Sequence, residues 1–146
     1  MSTNKANDEA RIRELMDNWA KKFRAKDIDG IMSIYAPDIV SFDAIAQLQF
    51  KGVDAYKKHW EACLSFCQGP ITFETRDMNI TVGDGVAFSH YLNRCGGTDQ
   101  SGEEKASWMR ATVCFRKING EWKVVHEHYS APFDMETGKA LFDLKP

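Results

Sequence analysis

The stretch WMRATVCFRKINGEWKVVHEHYSAP, residues 108–132, decides the architecture. Its side chains alternate in character with a period of two, and Asn119-Gly120 interrupts them midway. Asn-Gly between two alternating runs signals a tight hairpin, because both residues tolerate positive φ. The reading is two long antiparallel strands, 105–117 and 121–131. Their register decides which side chains face inward. A two-residue turn puts Val113 and Phe115 on the face of His126 and His128. A type I turn with a glycine bulge shifts the second strand by one residue. We adopt the bulge, because it gathers Met109, Ala111, Val113 and Phe115 with Val125, Glu127 and Tyr129 on the side facing the helices. The other face then carries Trp108, Arg110, Thr112, Cys114, Arg116, Trp122, Val124, His126 and His128. A face so rich in Trp, Arg and His predicts a homodimer interface, with Trp108, Arg110, Trp122 and His128 near its centre.

Upstream, the period of two extends back to Ile71. Apolar positions are odd at Ile71 and Phe73 but even at Met78, Ile80 and Val82, which predicts a β-bulge near 75–77. Asp84-Gly85 turns the chain into a strand over 86–95, and the polar loop GGTDQSGE, residues 96–103, leads to the next. Before residue 70 helices dominate. Ile12, Leu15, Met16, Trp19 and Phe23 form one apolar helical stripe, with Asn7 or Asp8 as its cap. A second helix runs from about Asp27 to Tyr35 and ends before Pro37. IVSFDA, residues 39–44, reads as a short strand. Beyond Gly52 a third helix buries Val53, Tyr56, Trp60, Cys63, Leu64 and Cys67, and Gly69-Pro70 ends it. The tail 132–146 is irregular. Three helices followed by an antiparallel meander make an α+β fold, one domain over 1–146, with a concave pocket between sheet and helices.

Composition narrows the partners. The 146 residues are 43% hydrophobic and 27% charged, which excludes a disordered chain. A net charge of −2 and a pI near 6.1 argue against nucleic acid or an anionic membrane as partner. No apolar run is long enough to span a bilayer, and the polar start MSTNKANDEAR has no signal-peptide core. Four cysteines without a CxxC pair read as reduced thiols of a cytoplasmic protein. His126 and His128 lack a third ligand, so no metal is expected. GxGxxG, GxxxxGK[ST] and GxSxG are all missing, so any catalysis is expected to be cofactor-free.

In the strand 86–95, Val86, Phe88, His90, Leu92 and Arg94 share a face. Three of the five are apolar, which assigns this face to the pocket. His90 is then a pocket group or a satisfied core histidine, and Arg94 a pocket group or a rim residue. Trp19, Tyr35, Phe88, Leu92, Arg94, Val113 and Tyr129 are the expected lining for a small hydrophobic ligand.

AKDIDGIMSIYAPDIVSFD, residues 25–43, followed by KGVDAYKKHW, residues 51–60, resembles the SnoaL-like branch of the NTF2-like superfamily. The hairpin 108–132 resembles the same branch and the association domain of calcium/calmodulin-dependent kinase II. The likeness covers about residues 8–133. It implies a cystatin-like cone of curved antiparallel sheet around the helices, and a dimer. Ketosteroid isomerase belongs to this superfamily, and its general base matches Asp43 here. Trp19 and Val113 match its two oxyanion-hole positions and cannot perform that role in the same way. An arginine stands in the kinase domain where Val113 stands here. The resemblance thus implies Asp43 as base, and the strand faces add two candidate partners: His90 as acid or oxyanion donor, and Glu127 as a second carboxyl. Two functions stay open: an acid/base enzyme of isomerase, dehydratase or cyclase type, and a noncatalytic ligand-binding or dimerisation module.

Overall fold

The computed structural model describes residues 2–146. Three helices come first: α1 (Ser2–Arg24), α2 (Ile28–Met32) and α3 (Val53–Ser65). Six strands form one sheet: β1 (Tyr35–Phe42), β2 (Phe50–Lys51), β3 (Ile71–Val82), β4 (Val86–Thr98), β5 (Glu104–Ile118) and β6 (Glu121–Ser130). The strand order is β2-β1-β6-β5-β4-β3. All neighbours are antiparallel except β1 and β6, which run parallel. The helical stripe on α1 buries Ile12, Met16, Trp19, Ala20 and Phe23.

α1 starts well before Asn7, so neither Asn7 nor Asp8 is its cap. Asp8 instead accepts from Trp122 Nε1 at 3.0 Å and from Lys117 Nζ at 3.3 Å. These contacts tie α1 to the last hairpin and hold the Asp8 carboxyl below its usual range. Asp27 caps α2 through Oδ1, which accepts from the Gly30 amide at 3.1 Å. α2 is shorter than expected. It stops at Met32, and Tyr35 opens β1, pairing with Val124 of β6.

The bulge expected near 75–77 is present. Register shifts between Arg76 and Asn79, and Asp77 adopts φ +58. The last hairpin differs from expectation. Lys117 pairs with Trp122 and Ile118 with Glu121, so the turn has two residues, with Asn119 at φ +52 and Gly120 at φ +81. The extra residue sits inside β6: Cys114 faces His126 while Phe115 faces Val124, leaving Val125 unopposed. Trp122 and Val124 therefore point inward before the bulge, and Glu127 and Tyr129 point inward after it. Trp122, expected at the dimer interface, is only 4% exposed and belongs to the core. Trp108, Arg110 and His128 do lie on the outer face.

The faces of β4 are reversed from expectation. Ala87, Ser89, Tyr91 and Asn93 are buried. Val86, Phe88, His90, Leu92 and Arg94 face outward. Cross-strand size matching explains this. The inward residues of β5 stand beside β4 residues of complementary bulk: Phe115 beside Ala87, Val113 beside Ser89 and Ala111 beside Tyr91. Counting apolar residues failed because three of the four inward residues, Ser89, Tyr91 and Asn93, carry polar groups while Val86, Phe88 and Leu92 face outward.

Candidate functional site

The KGVDAYKKHW segment builds the site. Tyr56, His59, Trp60 and Cys63 recur at helical spacing on α3, so they share the face turned toward the sheet. Tyr56 and His59 are buried there. Asp43 lies just beyond β1 and meets them from the loop. Its Oδ1 accepts from the Ile45 amide at 3.1 Å, which fixes the carboxylate as a turn aspartate would be fixed. Its Oδ2 lies 3.4 Å from His59 Nε2 and 3.4 Å from the Tyr56 hydroxyl. The His59 ring stacks on Phe50 with centroids 4.1 Å apart. Cys63 Sγ lies 3.6 Å from His59 Nε2.

Asp43 and His59 stand in the wall of a cavity of about 360 Å³. Trp19, Phe23, Trp60, Leu64, Phe73 and Met109 give it an apolar lining, with Asn93 and Tyr129 as further polar contributors. Trp19 Nε1, Trp60 Nε1 and Asn93 Oδ1 are buried without a hydrogen-bond partner among the described residues. Cys63 and Cys95 also line the cavity. Burial, and then the charge of Asp43, raise both thiols, Cys95 to about 12. They stay protonated and make poor nucleophiles.

Glu127 lies deeper, in the wall of a second cavity of about 250 Å³ that also touches Tyr35, Val113, Tyr129 and Trp19. Tyr35 donates to Glu127 Oε1 at 2.9 Å, and Tyr56 donates to the same oxygen. Tyr56 therefore connects the two carboxylates. Burial raises the Glu127 carboxyl to about 7, against the lowering effect of the two tyrosine hydroxyls.

Of the expected site residues, Asp43, Glu127, Trp19, Tyr35, Val113 and Tyr129 come together around these two cavities. His90, Phe88, Leu92 and Arg94 do not. His90 is exposed between Asn79 and Thr112 on the outer face. Phe88 is 45% exposed. Arg94 pairs with Glu104 and Glu74 outside the pocket. The histidine beside Asp43 is His59, which the sequence reading passed over. Its signal was a histidine one helical turn from Tyr56 on the apolar face of α3. The other two histidines near the site stay outside it. His126 Nδ1 lies 2.6 Å from the Val40 carbonyl, and His128 is exposed.

Residues 12–134 match the model of the SnoaL-like domain. A crystal structure of an NTF2-like protein of unknown function from Pseudomonas putida KT2440 is 51% identical, with a TM-score of 0.90 over 97% of this chain and 98% of that one. A nuclear transport factor 2 (NTF2-like) superfamily protein from Salmonella enterica is 15% identical, with a TM-score of 0.78 over 93% of this chain and 99% of that one. The association domain of CaMKII from C. elegans is 15% identical, with a TM-score of 0.70 over 87% and 98%. No curated protein matches the sequence. The α+β cone implied by the resemblance is the fold these structures share.

Proposed function

The chain belongs to the SnoaL-like domain family, and from that premise we propose that it is a cofactor-free acid/base enzyme acting on a small, largely apolar substrate. The observation that carries this reading is the Asp43–His59 pair in the wall of an otherwise apolar cavity. The Asp43 side chain is 14% exposed and that of His59 7%, so solvent screens the pair only weakly. In this reading the Asp43 carboxylate accepts a proton from the substrate. His59, held by Asp43 and by stacking on Phe50, delivers a proton to the intermediate, and exchange with solvent restores both groups to their starting states. The chemistry is of isomerase, dehydratase or cyclase type, each of which starts from proton abstraction by a base and needs no redox cofactor. The aromatic walls suit a flat or hydrophobic molecule.

Thermal-shift screening of small aromatic and alicyclic carbonyl compounds, followed by turnover assays, tests this. Asp43→Asn keeps the shape and removes the charge. It should lower kcat by at least about 100-fold with ligand affinity retained. Full turnover in that variant would sink the base assignment. Ligands that bind but are never converted would favour a noncatalytic binding module.

The outer sheet face supports self-association. Phe42, Val86 and Phe88 are exposed on this face, which also carries Trp108, Arg110 and His128, so large apolar side chains stand open to water there. We expect a homodimer through this face, with Trp122 taking no part. Sedimentation of a Phe88→Glu variant should show dissociation, and a native protein that is monomeric at micromolar concentration would end the idea. Among the described residues no helix is long and apolar enough to cross a membrane. The four free cysteines fit a cytoplasmic setting.

A further inference from the structure

The roles given to Asp43 and His59 leave Glu127 unused. It is 2% exposed, and its surroundings are unusual for a carboxyl group. Tyr35 reaches it from β1 and Tyr56 from α3, while Asp43 in the β1–β2 loop, Tyr91 of β4 and Tyr129 of its own strand are near enough to interact with its charge. α1 covers the second cavity with Asp17, Lys21 and Arg24 in its wall. The Arg24 guanidinium is held by the Phe73 carbonyl, at 3.1 and 2.8 Å. Both hydrogen bonds that Glu127 receives come from neutral hydroxyls, so among the described residues no cation neutralises it directly.

The Tyr56 hydroxyl has one proton and two carboxylate neighbours, Glu127 Oε1 and Asp43 Oδ2. It can donate to only one at a time. With Glu127 ionised, Tyr35 and Tyr56 both donate to it, and Asp43 goes without the Tyr56 proton. With Glu127 protonated, the Tyr56 proton is free to turn to Asp43. A donated hydrogen bond makes a carboxylate less basic, so where the Tyr56 proton points bears on how readily Glu127 takes a proton.

Building on the acid/base reading, we infer that Glu127 is the second proton-holding group of the site, linked to Asp43 through Tyr56 and to solvent through the second cavity. The transfer balances without a co-reactant. Asp43, carrying the substrate's proton, gives it to the Tyr56 oxygen as Tyr56 gives its own to Glu127. Asp43 ends ionised, Tyr56 neutral and Glu127 protonated. Glu127 suits this task, because burial brings its carboxyl to about 7, where it takes and releases a proton readily.

Carbon-13 NMR of the full chain, labelled at the glutamate side-chain carboxyl and titrated without substrate, tests the link. One glutamate should titrate near neutral pH, and its signal should vanish in Glu127→Gln. Asp43→Asn removes a neighbouring charge and should lower that midpoint. Tyr56→Phe removes a donor and should raise it. Each shift should correspond to at least a threefold change in proton affinity. Absence of a glutamate titrating near neutrality, or a midpoint unmoved in either variant, overturns the inference while leaving Asp43 as base. Full turnover in Asp43→Asn would instead overturn the base reading and leave the titration intact. With a substrate in hand, Glu127→Gln should remove one limb of the kcat–pH profile with KM unchanged. An equal loss at every pH would mark a purely structural role and overturn the inference.

Discussion

Replacing Glu127 with Gln should remove a pH dependence from the stability of the fold. Burial raises the carboxyl from its ordinary 4.5 to about 7, with Asp43 adding to the rise and the Tyr56 and Tyr35 hydroxyls opposing it. The folded protein thus holds this proton more tightly than the unfolded chain does. The contribution to stability is full below the unfolded value of 4.5, falls as pH rises, and is gone once pH passes about 7. Each tenfold difference in proton affinity is worth about 1.4 kcal/mol, so at about pH 8 the buried carboxylate costs the fold about 3 kcal/mol. Gln keeps an oxygen that accepts from Tyr35 and Tyr56 and has no charge to bury. Urea unfolding of both proteins, at one protein concentration, cancels the effects of titrating groups remote from Glu127. Between about pH 5 and about pH 8 the stability of Glu127→Gln relative to the native protein should improve by about 2.5 kcal/mol. A difference that stays constant within about 0.5 kcal/mol across that range would refute the reasoning, since extrapolation error is of that order.

Two further outcomes test the packing that holds the site. Phe115→Ala removes a ring that is 1% exposed and should cost about 3–5 kcal/mol in denaturant titration. A loss below about 1 kcal/mol would mean that β5 faces the other way. Gly96→Ala would put a Cβ 2.0 Å from the Lys105 carbonyl oxygen, inside the β4–β5 pairing that borders the larger cavity. Overpacking against backbone should cost about 1–3 kcal/mol or more, read as a lowered Tm. An unchanged Tm would contradict the pairing of Gly96 with Ala106.

Local periodicity made part of the site legible. Trp19 lies on an unambiguous helical stripe, and Asp43 on the stretch that resembles the base-bearing segment of related folds. Glu127 was placed inward on the strength of a bulge, and it does point inward, but the bulge is at Val125 and the turn is tight. The same displacement hid the inward position of Trp122. On β4, hydrophobic count pointed to Phe88 and Leu92, whereas the inward face is Ala87, Ser89, Tyr91 and Asn93. An apolar outer face and a polar functional interior invert the usual signal. His90 was the casualty of that inversion, and His59 took its place beside Asp43.

The sequence by itself determined the elements: helices where apolar residues recur every three or four positions, strands where they alternate, a hairpin at Asn119-Gly120 and a bulge near Asp77. Each depends on backbone preferences and spacing within a few residues, so a linear reading reaches it. Only the tertiary structure decided that β1 lies parallel beside β6, with Phe42 opposite His128. That pairing sets Asp43 at the sheet's end, facing α3, and brings its carboxylate to His59 and, through Tyr56, to Glu127, 84 residues further along the chain. Such a convergence depends on which strands become neighbours and on which face small residues let bulky ones occupy. Those choices are made by packing between distant segments, where no local period records them.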